Sequence, residues 1–159
     1  MIVCIVGSEA AKFTQETEKI ARQAIITCLS PGDFVISGAC HLGGIDRWAI
    51  EEAKALGLET QEYPPATQKW EGGYKQRNLA MAEACDKCVC ITVKEYHENY
   101  TGMRFEKKWN GDLSNQEFYM TPAPVCYHCK TIGNHVKSGG CWTMKEAAKL
   151  GKQTQLIVI

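Results

Sequence analysis

The chain of 159 residues has no net charge, since 18 Lys+Arg balance 18 Asp+Glu. It therefore lacks the overall positive field that draws proteins onto phosphate backbones, and any contact with nucleic acid would need a local patch. No run approaches the roughly 18 apolar residues of a membrane span, so a membrane role is not expected. The segment at about 94–137 has no internal repeat and no low-complexity tract. No basic leader or apolar h-region precedes the strand-like Met1-Ile-Val-Cys-Ile-Val6, so a cytoplasmic protein is expected. Nine cysteines are present, an odd number and about 6% of the chain, below the density of a disulfide-knit miniprotein. In a reducing compartment they read as metal ligands, reactive groups or small buried hydrophobes.

Five short apolar runs bounded by turn residues are strand candidates: Ile2–Val6, Phe34–Ile36, Leu58–Tyr63, Cys88–Val93 and Gln155–Ile159. Several are continuously apolar, as strands covered on both faces of a parallel sheet require. Helical patterns lie between them at Thr14–Leu29, Ile45–Leu56, Lys75–Cys85 and Thr143–Leu150, with Gly57 and Gly151 placed to take the left-handed C′ conformation. Alternating strands and helices predict an α/β fold, a doubly wound, mainly parallel five-stranded sheet that binds ligands at the carboxyl ends of its strands. Residues 1–159 are read as a single domain, interrupted at about 94–137 by a connection long enough to be an insertion with its own role.

Three segments would meet at that carboxyl edge. Gly7 and Ser8 follow the first strand, where Gly permits close backbone approach and Ser offers a hydroxyl, although such a Gly also serves as a plain turn. Ser37-Gly38 and Gly43-Gly44-Ile45-Asp46 form a small flexible loop before a helix, suited to an anion and equally to a turn with Asp46 in the first helical turn. Gly139-Gly140 precede the last helix as a second possible phosphate cradle. Thr143-x-x-Glu146 there also fits a capping box, in which Glu146 simply bonds backbone N–H groups at the helix start.

Taken in order, Ser37-Gly38…Gly43-Gly44-Ile45-Asp46-Arg47-Trp48-Ala49, Tyr63-Pro64-Pro65, Arg77-Asn78…Met81…Asp86 and Ser138-Gly139-Gly140…Thr143 resemble the SLOG superfamily. These Rossmann-like nucleotide-binding proteins include the Lonely-Guy-type phosphoribohydrolases and DNA-processing protein A. The likeness is greatest to small uncharacterised members and covers about residues 1–93 and 136–159. The resemblance implies a nucleotide held by Gly7, Ser8, Ser37, Gly38, Gly43, Asp46, Asn78, Gly139, Gly140 and Thr143. By likeness to the phosphoribohydrolases it implies Glu146 and Arg77 as catalytic residues for hydrolysis of the N-glycosidic bond of a nucleoside 5′-monophosphate or derivative. A carboxylate near the sugar would stabilise the oxocarbenium-like ribose of that reaction. Ser138 stands where those enzymes have Pro, Asn78 where they have Lys, and Trp142 where they have Gly. A non-catalytic nucleotide sensor and a single-stranded DNA accessory protein are the alternatives.

Cys126-Tyr-His-Cys129, with His135 after five further residues, places soft sulfur and imidazole at a spacing suited to tetrahedral zinc. The expected cofactor is a structural zinc on Cys126, Cys129 and His135, with His128, His97, Cys141, Cys85 or Cys88 as the fourth ligand. Cys4, Cys28, Cys88 and Cys90 fall in strands or a helix and read as packing residues. Trp70, Tyr74, Tyr96, Tyr100, Trp109 and Tyr119 could roof a pocket or pack in loops, and Arg104-Phe-Glu-Lys107-Lys108 reads as a solvated face. The expected partners are a nucleotide or nucleotide-derived small molecule and further copies of the chain in a homo-oligomer, without membrane and without nucleic acid.

Overall fold

The computed structural model describes residues 1–109 and 121–159. A parallel sheet is formed by β1 (Ile2–Gly7), β2 (Phe34–Gly38), β3 (Glu59–Tyr63), β4 (Lys87–Thr92) and, last in the chain, β8 (Gln153–Val158), in the order β3-β2-β1-β4-β8. The helices are α1 (Gln15–Thr27), α2 (Ile45–Ala55), α3 (Lys75–Ala84) and α4 (Gly139–Lys149). The α/β doubly wound expectation holds. α1 and α2 pack together on one side of the sheet, and α3 and α4 on the other.

Two cores flank the sheet. One gathers Ile5, Ile25, Val35, Ile45, Val89 and Ile91, with Phe13 edge-on to Trp48 at 5.0 Å between ring centroids. The other is rich in sulfur: Cys4, Cys85, Cys88, Cys90, Cys126 and Cys141 pack with Met81 and Ile36. Cys4 and Cys88 are cross-strand partners, and Val6 is paired with Cys90, so the alternation of β1 and β4 sends these thiols to the same face. Only the central strands are covered on both faces. The outer strands β3 and β8 are largely exposed, and β8 starts two residues before the expected Gln155.

Helix ends follow local chemistry. Thr14 caps α1 through a reciprocal box with Thr17, and Gly57 and Gly151 take φ of +73° and +75° beyond α2 and α4, as their C′ positions require. α4 departs from the sequence expectation. It begins at Gly139, and Ser138 is its N-cap, with Oγ accepting from the Gly140 N–H at 3.2 Å. Thr143 and Glu146 therefore lie inside the helix, and the expected Thr143/Glu146 capping box does not form. A serine ahead of two glycines supplies the cap one turn earlier, where first-turn N–H groups need only one side-chain acceptor.

The insertion carries a small antiparallel sheet, ordered β5 (Glu106–Trp109), β6 (Thr121–Cys126), β7 (Thr131–Ile132). Tyr119 lies outside the described residues. Among the described residues no helix is long and apolar enough to cross a membrane.

Candidate ligand cavity and metal centre

A cavity of about 550 Å³ opens at the carboxyl ends of β1, β2 and β4, within the ~300–1,000 Å³ range of small-molecule sites. Its floor is Gly7, Ser8, Gly139, Gly140 and Thr143. A Cβ on Gly140 would lie 2.8 Å from the Gly7 nitrogen and 3.0 Å from Cys90 Sγ, so the start of α4 packs directly on β1 and β4 through absent side chains. A Cβ on Gly139, by contrast, meets nothing within 4 Å. This glycine faces the open cavity with the positive end of an eleven-residue helix behind it.

Two cationic flanks border this floor. On the insertion side, Lys12 is buried, donates to the Lys137 carbonyl at 2.8 Å and sits 3.8 Å from Glu9. Burial lowers its pKa from the usual lysine range. Lys137 Nζ lies over the Phe105 and Tyr127 rings, and Tyr100 donates to Glu9 at 3.3 Å. On the opposite side, Arg77 holds three contacts at once: Nε donates to Asn78 Oδ1 at 2.7 Å, Nη1 faces Asp46 Oδ2 at 3.5 Å, and the guanidinium lies 5.2 Å from the Tyr74 ring centroid. Asp46 is buried, and that burial pushes its carboxyl up to about 7 despite opposing contributions from Arg77 and the Gly7 N–H. Trp70, edge-on to Trp142 at 4.8 Å, and Tyr74, bonded to His41, supply aromatic wall on this flank.

Seven of the ten expected ligand positions line this one space: Gly7, Ser8, Asp46, Asn78, Gly139, Gly140 and Thr143, and Arg77 does so as well. Ser37, Gly38 and Gly43 lie outside the lining. Ser37 is buried within β2 and donates to the Ile5 carbonyl. Gly38 ends that strand beneath Arg77 and Asp46, where a Cβ would collide with both side chains. The Gly43 N–H closes a turn onto the Cys40 carbonyl. Glu146 also lies outside the lining, and its carboxylate accepts from Lys149 at 2.6 Å on the helix surface. Sequence reasoning did not single out Lys12 or Lys137. The signal was available, because Lys137 immediately precedes the Ser-Gly-Gly start of α4 and Lys12 ends the short 3-10 turn after β1.

Cys126, Cys129, His135 and Cys141 form a second cluster, with ligand atoms all within 4.8 Å of one another, and could hold a metal ion. Cys141 is the fourth donor left open by the sequence. Its Sγ is 3.6 Å from His135 Nε2. His97 instead contacts the Ala11 carbonyl, His128 lies tilted against the Tyr127 ring, and Cys85 and Cys88 lie in the sulfur-rich core with Cys4. The cluster ties the insertion, which supplies three donors, to the first turn of α4, which supplies the fourth. Hydrogen bonding from Cys141, with His135 assisting, holds Cys126 well below the ordinary thiol range. The same bond and a second to Cys90 raise Cys141. His135 is fully buried; its Nε2 meets Cys141 Sγ, and its Nδ1 has no hydrogen-bond partner among the described residues.

Compared with protein-family models, curated proteins and solved structures, the chain matches none.

Proposed function

We propose that the chain binds a nucleoside 5′-monophosphate or a derivative of one, with the phosphate at the start of α4, and that its Cys/His cluster holds a structural zinc. The observation that carries the binding reading is the convergence, in one cavity, of the open Gly139 position at the α4 N-terminus with Lys12, Lys137 and an aromatic wall. Fixed N–H dipoles with a buried and a half-buried lysine favour a phosphate. The aromatic rings offer a face to a base, and Glu9 and Asp46 offer acceptors to ribose hydroxyls. The motif order shared with SLOG proteins supports the same class.

Three sulfurs and one imidazole nitrogen are the donor set of structural zinc sites. Zn–S near 2.3 Å and Zn–N near 2.0–2.1 Å set a tetrahedral S···N edge of about 3.6 Å, and the Cys141–His135 separation is 3.6 Å. All four donors are taken by protein, as a structural rather than a catalytic zinc requires.

N-glycosidic hydrolysis is the second reading, favoured by the carboxyl of Asp46 in the cavity beside Arg77. Its carboxylate form would accept a proton from attacking water. Glu146, turned to Lys149, is not placed for that role.

Titration calorimetry with a panel of nucleoside 5′-monophosphates tests the binding reading. Wild-type protein is expected to bind at least one of them. Gly139→Asp sets a carboxylate where the phosphate would sit and should weaken binding by about tenfold or more, equivalent to ~1.4 kcal/mol, while a helix-start carboxylate adds about 0.3–1 kcal/mol to stability. Absence of binding to the whole panel, or equal binding by Gly139→Asp, would overturn the assignment.

A further inference from the structure

We infer that the cavity has a second anion subsite at Arg77, so that its ligand carries two separated anionic groups rather than one. This rests on the nucleotide reading above and extends it.

Arg77 is nine-tenths buried, lines the cavity, and is fixed on three sides. Asn78 takes Nε, Asp46 faces Nη1, and Tyr74 lies against the guanidinium plane. Among the described residues neither Nη1, a buried atom that faces Asp46, nor Nη2 makes a hydrogen bond, and Nη2 is the donor left for a ligand. A guanidinium held this way has lost its rotamer freedom before any ligand arrives, which lowers the cost of using its remaining donors. A planar donor fork of this kind suits phosphate or carboxylate oxygens. Gly38 makes the arrangement possible, because any side chain at that position would displace both Arg77 and Asp46.

Position separates this subsite from the one at α4. Arg77 lies over the end of β2, whereas Lys12 and Lys137 lie toward β4, where the Val136 N–H bonds the Val93 carbonyl. In the order β3-β2-β1-β4-β8 those strands flank β1, so two strand spacings, about 10 Å, separate the two cationic flanks. One phosphate is too small to meet both flanks. Each flank also has its own aromatic wall, Trp70 and Tyr74 on one side, Tyr100 and Phe105 on the other. Asp46 faces Nη1, the buried nitrogen of the guanidinium, rather than Nη2.

The probes are adenosine 5′-monophosphate and adenosine 3′,5′-bisphosphate, titrated calorimetrically into the zinc-loaded full chain at fixed salt; where adenosine is not the nucleoside bound, the same pair is taken with a nucleoside whose 5′-monophosphate binds. Wild-type protein should bind the 3′,5′-bisphosphate at least tenfold more tightly than the monophosphate. Arg77→Lys, checked for native circular dichroism, should bring the two within about twofold of each other. Equal wild-type affinities, or a preference that survives Arg77→Lys, would overturn the second subsite and leave the nucleotide reading standing. Failure of every nucleoside 5′-monophosphate to bind would remove the reading on which the subsite rests, and the subsite with it. The wild-type comparison needs no variant, so it decides the matter even if Arg77→Lys fails to fold.

Discussion

Asp46 is the residue whose environment differs most from what its type suggests. A carboxyl in the first turn of a helix ordinarily gains from the macrodipole, and this one also faces Arg77 at 3.5 Å. Burial outweighs both, leaving its carboxyl at about 7. The folded chain then keeps a proton at Asp46 that the unfolded chain releases near pH 4. The group's contribution to stability is therefore greatest below that pH and falls as pH rises through about 7. Asp46→Asn should flatten the fall in melting temperature between about pH 4 and 7, measured by scanning calorimetry; an unchanged slope would show that Asp46 does not titrate there. If base is released from a bound nucleotide, the same substitution should lower the rate by about 100-fold, the low end for loss of a general base. Glu146→Gln should leave it unaltered, and chromatographic assay of free base separates the two.

Cys141 shows why the sequence leaves the fourth metal donor open: it is one candidate beside His128, His97, Cys85 and Cys88, and it stands six positions after His135 but next to Gly139-Gly140, in a segment that also reads as a ligand loop. The backbone of α4 instead turns Gly139, Gly140 and Thr143 to the cavity and Cys141 to the thiols. Helical geometry separates the two roles, and no spacing rule for a loop could.

The elements were legible where pattern and burial agree. β1, β2 and β4 are continuously apolar because helices cover both faces, and α1 and α2 carry apolar stripes toward one core. Exposure blurs the pattern at the sheet edges: β8 begins Gln-Thr-Gln, two residues ahead of its expected start, whereas β3, Glu-Thr-Gln-Glu-Tyr, falls within the expected Leu58–Tyr63. The start of β8 has no apolar face to detect. β6 was hidden for a different reason. Thr-Pro-Ala-Pro-Val-Cys carries two prolines, which argue against a strand paired on both sides, yet it pairs with β5 along Pro122–Pro124 and with β7 only at Val125 and Cys126. The prolines lie outside the segment shared with β7. α4 began one turn earlier than expected because Thr-x-x-Glu is a common spacing, and Ser138 provides a nearer cap.

At the scale of the whole molecule, the metal cluster and the cavity share a helix. Cys126, Cys129 and His135 belong to the insertion, which also brings Tyr100, Phe105 and Lys137 to the cavity, while Cys141 belongs to the helix whose first turn is the cavity floor. A metal bound there would tie the insertion side of the cavity to its floor at α4. Removing zinc with a chelator should lower the melting temperature, as loss of any ligand specific to the folded state does, and should weaken nucleotide affinity by about tenfold. Linkage requires the nucleotide to raise zinc affinity by the same factor; competition against a chromophoric chelator measures it, and a factor of one would separate the two sites energetically.

Native mass spectrometry of the zinc-loaded chain, incubated with nucleoside 5′-monophosphates, tests the nucleotide site and its placement at α4 most directly. The expected spectrum shows one zinc and one nucleotide on the wild type, and one zinc without nucleotide on Gly139→Asp. A wild-type spectrum that never gains a nucleotide, or a Gly139→Asp spectrum that gains it equally, would contradict a phosphate site at the start of α4.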